Sequence, residues 1–509
     1  MSKSNKKQIA KNTLSLFSRM LVTMVVSLYT SRVILDALGA SDYGLYSVVG
    51  GVVVLFSFVS TSMATSTQRF LNFEKGKGDV QRLKRVFGTS IFVHYILAIG
   101  LVIIIELAGL WMLNNKLNIN PDRLLAANWI FHLSVISFGF TIVNVPYKSA
   151  IIANEKMSVF ALIGIIEVIL KLIIAISISF TKGDKLIWYG ALILGATLVI
   201  NSAYTIYSKR NFPECRTGVV RDKEFLGAIL GFSSWNLMSS LSIVLRNQGV
   251  SILFNIFFGT IVNAAQGIAN QVSNIITGFT ATFTQAINPQ IVKDYAAGRL
   301  ESMRSMVMFG SRVSFMLLFL IAFPIFIEAD FILSTWLKTV PEYTIIFTRL
   351  VLIQVLVESF ASVHSTAQGA TGDVKVYHFV LSCLGMLNLP ISYFILKAGV
   401  LPYYVFIILI SISAIISVLR LVFLRKSIGL SLKQYLADVG LRCFMVFIVA
   451  VPIPVFLKFN LENTLVNAFL VSSVSVVLII LCSFFLGLTH SERSKIVIQV
   501  KDKLNINSN

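Results

Sequence analysis

Long uninterrupted apolar runs, broken by short polar and basic stretches, dominate the chain from end to end. Stretches such as 91–113, 186–207 and 466–488 each exceed the 18 residues that mark a membrane-crossing helix, and only the first contains a charge, Glu106. The runs predict about fourteen spans, at 14–38, 43–68, 88–113, 124–147, 157–180, 186–207, 226–257, 260–290, 305–327, 343–367, 377–397, 402–424, 441–459 and 464–487. Several are longer than the roughly 20 residues a crossing requires, so they should tilt or protrude. Spans seven and eight are the least hydrophobic. The fold class is an all-α polytopic membrane protein. The N-terminal "MSKSNKKQIAKNT" is basic, the apolar run after it is too long for a signal-peptide core, and a retained first helix is expected.

A faint internal repeat organises these spans. "LFSRMLV" (16–22) recurs as "GFSSWNL" (231–237), 215 residues on, and "VFGTS" (86–90) as "MFGSR" (308–312), 222 residues on. "KSAIIANEK" (148–156) matches "HSTAQGATGDVK" (364–375) after the fourth span of each half. Ordered matches at near-constant offset predict two pseudo-symmetric six-helix lobes. The expected boundaries are 1–210 for the N-lobe, 211–225 for a cytoplasmic inter-lobe loop and 226–425 for the C-lobe. Two added helices follow over 426–490, then a tail over 491–509. An even number of spans per lobe makes the repeats parallel.

Composition sharpens the class. Of 509 residues 56% are hydrophobic and only 13% are charged, against about a quarter charged in soluble domains. The net charge of +20 invites a nucleic-acid partner, but its placement argues against one. With loops assigned alternately to the two sides, about 30 of the basic residues fall on the side of the N-terminus and about seven on the other. That bias places both termini in the cytoplasm and suits contact with anionic lipids. Four scattered cysteines and five histidines show neither a disulfide framework nor metal-ligand spacing. No metal or resident cofactor is expected.

The remaining bases lie inside spans: Arg19, Arg32, Lys171, Arg246, Arg312 and Arg349. Glu167 and Lys171 are four apart in the favourable acid-before-base order, as a self-neutralising helical pair would be. Arg32 and Asp36 share that spacing. Arg19 and Arg312 lie near span ends, within snorkelling reach. Arg246 and Arg349 have no acid three or four residues away, and each costs about 2.5–3.5 kcal/mol at a helix centre. Such residues normally face an interior cavity and mark a substrate path. Asn263, Gln266, Asn270 and Asn274 form one polar stripe on span eight, and Asn236, Ser240 and Asn247 form another on span seven. The alternatives are a water-lined cavity and helix–helix glue. A positively charged cavity suits an anion, and arginine's planar fork suits phosphate.

The segment "NTLSLFSRMLVTMVVSLYTSRVILDALGASDYGLYSVVGG" (12–51), with "STQRFL" (66–71), resembles bacterial polysaccharide flippases. These Wzx-type proteins belong to the multidrug/oligosaccharidyl-lipid/polysaccharide exporter superfamily, and "FTQAINPQIVKDYAAGRLESM" (283–303) resembles the matching segment of that wider superfamily. The resemblance implies two six-helix lobes around a central cavity, alternating access, and transfer of undecaprenyl-diphosphate-linked oligosaccharide to the periplasmic leaflet for surface polysaccharide. The substrate-binding residues expected from embedding and charge are Arg32, Lys171, Arg246 and Arg349, with Asn247, Asn263, Gln266, Asn270 and Asn274 for the sugars. A proton or sodium gradient would drive turnover, with Glu106, Glu167 and Glu358 as coupling candidates. The expected partners are the lipid-linked oligosaccharide, membrane lipids, and a polysaccharide polymerase or glycosyltransferases. No bond-breaking chemistry is needed, so an enzyme is not expected. The alternatives are a cation-coupled multidrug exporter of the same fold and a membrane polysaccharide polymerase or ligase.

Overall fold

A computed structural model describes residues 3–154, 156–227, 237, 240–242 and 244–494, with the side chains of 3–17, 76, 77, 282, 285, 286 and 289 outside that description. The described residues contain helices and no β-strand. In chain order the helices are α1 (Lys3–Val54), α2 (Ser57–Lys77), α3 (Val80–Asn115), α4 (Leu124–Ala153), α5 (Met157–Ile178), α6 (Lys185–Asn211), α7 (Val250–Phe258), α8 (Thr260–Ala296), α9 (Leu300–Ile327) and α10 (Ala329–Trp336). They continue as α11 (Thr344–Ser359), α12 (His364–Thr371), α13 (Lys375–Met386), α14 (Asn388–Lys397), α15 (Tyr404–Ile428), α16 (Leu432–Tyr435), α17 (Arg442–Ala450), α18 (Pro452–Asn460) and α19 (Leu465–Cys482).

Twelve helical stretches among the described residues are long and apolar enough to cross a membrane. Two features account for the difference from fourteen. Helix runs from Ser18 to Val54 through Gly39, whose φ of 77° and ψ of 165° break the helical path. A left-handed φ is open to glycine at little cost, so expected span one and the start of span two join at a kink. The polar run Ser57–Lys77 that completes span two, and α8 with its amides, fall outside the apolar set.

The chain folds into two compact bodies. The first comprises residues 1–268, 337–344 and 382–405. In its core α4 packs against α3 and α6 through Ile105, Ala127, Ile130 and Phe131, which meet Leu45 and Val48 of α1. Towards the other end of the same helices Phe87, Tyr147, Ile151 and Tyr204 form a second cluster. Helix starts are fixed locally. Asp79 caps α3 by accepting from the Gln81 and Arg82 amides, and Asp184 caps α6 by accepting from Leu186 and Ile187.

The second body comprises residues 269–336, 345–381 and 406–509. Its core is a row of aromatics on α9. Phe315 stacks on Phe319 at 5.6 Å and on Phe360 at 4.7 Å, with Val363, Leu424 and Val446 around them. Residues 244–268, 337–344 and 382–405 thus pack with the first body, although the sequence repeat groups them with 226–425. The bodies are units of packing, and the lobe boundaries remain a proposal about the repeat. Of the tail 491–509, only 491–494 are described.

Candidate functional site

On α5 the side chains of Glu167 and Lys171 meet as their spacing predicts. Lys171 Nζ donates to Glu167 Oε1 at 2.6 Å. The pair is not alone. Arg19 of α1 lies across the same helix, with its guanidinium carbon 4.6 Å from the centre of the Phe160 ring. Gly164, one turn further on, provides the notch: a Cβ there would run into Arg19 Nε. Lys148 arrives from α4 with its Nζ 5.0 Å from the centre of the Tyr204 ring. Glu167 interacts electrostatically with Lys171 first, then with Lys148 and Arg19, and Lys148 in turn feels Glu167, Lys171 and Arg19.

Three cations therefore share one carboxylate, leaving two positive charges uncompensated within the group. All four side chains are half-buried. Helix geometry spreads them along the body. Lys148 lies five residues before the end of α4, about 8 Å, and Lys171 fourteen residues into α5, about 21 Å at 1.5 Å per residue. The aromatic faces of Phe160 and Tyr204 hold two of the cations by cation–π attraction, about 0.5–2 kcal/mol each, without neutralising them. A site of this kind attracts an anion with several charged oxygens. Arginine supplies a planar fork, and each lysine supplies a point charge on a flexible stem.

Arg19 and Lys148 are the members that sequence reasoning missed. Arg19 looks like a snorkelling end residue, and Lys148 falls outside expected span four. The repeat carried a signal, however, because Lys148 opens the segment matched to the one that begins at His364. His364 is buried in the second body, with Nε2 3.2 Å from Ser311 Oγ, and Arg420 of α15 acts on it electrostatically. Arg420 also donates to the Ala361 carbonyl at 3.3 Å. It is a further embedded base, inside span 402–424, that the count of six passes over.

Other expected members are placed differently. Asp36 does not pair with Arg32; its carboxylate accepts from Lys338 at 2.6 Å. Arg32 is half-buried and has no ion pair among the described residues. Arg349 is not an unpaired charge at a helix centre. It lies five residues into α11 and donates to Asp330 at 2.6 Å and to the Phe326 carbonyl at 3.2 Å. Arg312 does not snorkel, being 2% exposed and held by Glu492 at 2.7 Å and the Asp438 carbonyl at 2.9 Å. Arg246 sits half-buried in a π-helical turn, Leu245–Gly249, and is not a free cation.

The amide stripe of α8 divides. Asn263 is buried and donates to the Ser251 carbonyl at 2.6 Å, which makes it a helix–helix link, and Gln266 is also buried. Asn270 and Asn274 are exposed, as is Asn247. Asn236 lies outside the described residues. Among the coupling candidates, Glu106 meets His132 Nδ1 at 3.0 Å between α3 and α4. Glu358 accepts from Ser413 at 2.8 Å and from Gln354 at 3.1 Å. No cluster of metal ligands occurs among the described residues.

No family model matches the sequence, and no curated protein matches it. Solved structures do match in shape. A lipid II flippase, MurJ, in an inward closed conformation superposes with a TM-score of 0.70 at 14% identity, over 93% of this chain and 98% of that one. The fold is shared. A multidrug resistance MATE family transporter of the MOP superfamily, in its inward-facing conformation, gives 0.65 at 15% identity over 81% of this chain and 97% of that one. The outward-facing conformation of such a transporter gives 0.57 at 14% identity, over 82% and 96%. The chain is thus a multi-pass membrane protein with the MATE and MurJ architecture.

Proposed function

We propose that this protein flips an undecaprenyl-diphosphate-linked oligosaccharide to the periplasmic leaflet of the inner membrane by alternating access. The observation that carries the reading is the Arg19–Lys148–Lys171 group around a single carboxylate. Charges at bilayer depth are costly and usually mark a substrate or ion path, and this group holds two more positive charges than the local structure neutralises. A diphosphate fits that surplus. Arg32, half-buried on the same helix as Arg19, is a further contact for the headgroup. Asn247, Asn270 and Asn274, which are exposed, are candidates for the sugars. The likeness to a lipid II flippase supports a lipid-linked substrate, and a polymerase or glycosyltransferases would act before or after the transfer. Glu106, with its histidine neighbour, and Glu358 are the candidates for coupling to a proton or sodium gradient.

The test is reconstitution into vesicles with lipid-linked oligosaccharide and an assay of leaflet accessibility. Replacing Arg19, Lys148 or Lys171 by alanine should each slow translocation about tenfold, the factor that ~1.4 kcal/mol of lost phosphate contact produces. Unchanged rates in the triple variant would end the proposal. A cation-coupled drug exporter, the other reading the fold supports, predicts ethidium efflux that depends on Glu358 and is indifferent to the three bases.

A further inference from the structure

We infer that Glu167 is an exchangeable internal counter-ion, which offsets part of the charge of the cation group by pairing with Lys171 and gives up Lys171 when a phosphorylated headgroup arrives. This rests on the reading of the group as an anion site. Three features of the first body support it.

The stoichiometry comes first. One carboxylate faces three cations, and its strongest partner is Lys171, on its own helix. An intrahelical pair four residues apart contributes little where solvent reaches it. Rotation of two side chains breaks it, with no change in the backbone or in helix packing. A bond meant to lock helices together would be placed between helices, as the Asn263 link is.

The second feature is that the other two cations are held without the carboxylate. Arg19 rests on Phe160 in the Gly164 notch, and Lys148 rests over Tyr204. Their positions survive the departure of Glu167 from Lys171, so the site stays organised for the incoming group. The third is reach. Lys171 is the deepest of the three along α5, and a lysine stem turned away from Glu167 can follow a headgroup travelling inward. Release then has a built-in competitor: as the headgroup leaves, Glu167 recovers Lys171. A cation group without such a competitor would bind its phosphate more tightly and let it go more slowly.

Farnesyl diphosphate serves as the probe, with farnesol as the uncharged control. In detergent, Glu167→Gln should bind farnesyl diphosphate about tenfold more tightly, the equivalent of ~1.4 kcal/mol, and leave farnesol unchanged. Glu224→Gln makes the same change in net charge elsewhere on the body, at an exposed acid beside Arg82, and should leave affinity where it was. In vesicles Glu167→Gln should turn over more slowly despite its tighter binding. The wild-type chain gives a second measurement that does not depend on a variant folding. A carbodiimide joins a carboxylate to an amine in contact, so it should link Glu167 to Lys171 within one peptide. Farnesyl diphosphate should suppress that link and farnesol should not.

Loss of farnesyl diphosphate binding in Arg19→Ala and Lys148→Ala, with Glu167→Gln unchanged and the link persisting at saturation, would overturn the exchange and leave the anion site standing. If the lysine and arginine variants also bind as the wild type does, the anion site itself falls.

Discussion

Embedded charge is treated in opposite ways at particular sites of the two bodies. In the second, each buried or half-buried base with an acid at hand is closed off by one: Arg312 by Glu492, Arg349 by Asp330, and Lys458 by a fully buried Glu328 at 2.6 Å. In the first, Lys171 bonds to Glu167, and Arg19 and Lys148 act electrostatically on the same carboxylate. One-to-one pairs neutralise a charge where it sits and fasten two elements. A three-to-one group leaves charge over and fastens little. The presence of an arginine at membrane depth is therefore a poor guide to function, and the ratio of cations to carboxylates around it is a better one.

The sharpest way to break that contrast is to open a closed pair. Arg312 is 2% exposed, and its carboxylate comes from the far end of the chain, where Thr489 and Glu492 cap each other's amides in a T-x-x-E box. Glu492→Ala should cost the second body about 3–5 kcal/mol, because it leaves a buried guanidinium without its charge partner. Thermal unfolding in detergent reads this directly. The double change Arg312→Met with Glu492→Leu should recover most of the loss. A single variant as stable as the wild type would show that Glu492 does not close the charge.

The open group should respond in the reverse sense. Arg19→Ala and Lys148→Ala should each weaken farnesyl diphosphate binding about tenfold, yet shift stability by less than ~1 kcal/mol, since each removes a surplus cation along with a modest aromatic contact. Arg349→Ala should do the opposite, losing ~1 kcal/mol of stability with binding unchanged, its pair being partly exposed and so of modest worth. Binding lost in Arg349→Ala and retained in Arg19→Ala would reverse the assignment of roles.

The contrast also explains what the sequence did and did not make legible. The all-helical membrane plan was visible because a crossing helix must be apolar over its whole length, a local property. The Glu167–Lys171 pair was visible because four residues is one helical turn. Arg312 and Glu492 are 180 residues apart, and no periodicity joins them. Arg349 looked unpaired for the same reason: Asp330 lies on another helix, nineteen residues away. Lys148 sits beyond an expected span end, where a lysine ordinarily marks the interface. Only packing shows that it turns inward over Tyr204. The stripe Asn263–Asn274 misled because period alone does not say which face a neighbour covers. Asn263 is taken by Ser251, while Asn274 is left open.

A smaller perturbation sharpens the picture at Gly164. Its notch lets Arg19 lie on α5, and an added methyl would displace the guanidinium from Phe160. The displaced atoms are the end of a flexible side chain, and alanine favours the helix by up to about 1 kcal/mol over glycine. Gly164→Ala should therefore be stable to within ~1 kcal/mol while binding farnesyl diphosphate several-fold less tightly. Loss of binding and of stability together would mean that the notch serves packing alone.

The smallest expected effect tests whether the ratio, and not the body, decides. The first body also holds a charge group with the ratio inverted: Arg123 donates to Asp42 at 2.6 Å and to Asp184 at 2.7 Å, one cation for two carboxylates. Burial pushes the Asp184 carboxyl up, but the Arg123 bonds and the amides of Ile187 and Leu186 outweigh it, leaving Asp184 below the usual carboxylate range. A carboxyl depressed by folding stabilises above its unfolded value, about 3.9, and that contribution is lost as pH falls through the lower folded value. Asp184→Asn keeps an N-cap acceptor and removes the charge. At pH 6 it should be less stable than the wild type by under ~1 kcal/mol, discounted because the cluster is partly exposed. Below pH ~4 the two melting curves should converge as the wild-type carboxyl protonates. Curves that stay parallel to pH 3 would mean that Arg123 does not fasten α4 to α6 through charge. This group would then be as loosely held as the one around Glu167, and the ratio of cations to carboxylates would not separate fastening sites from binding sites.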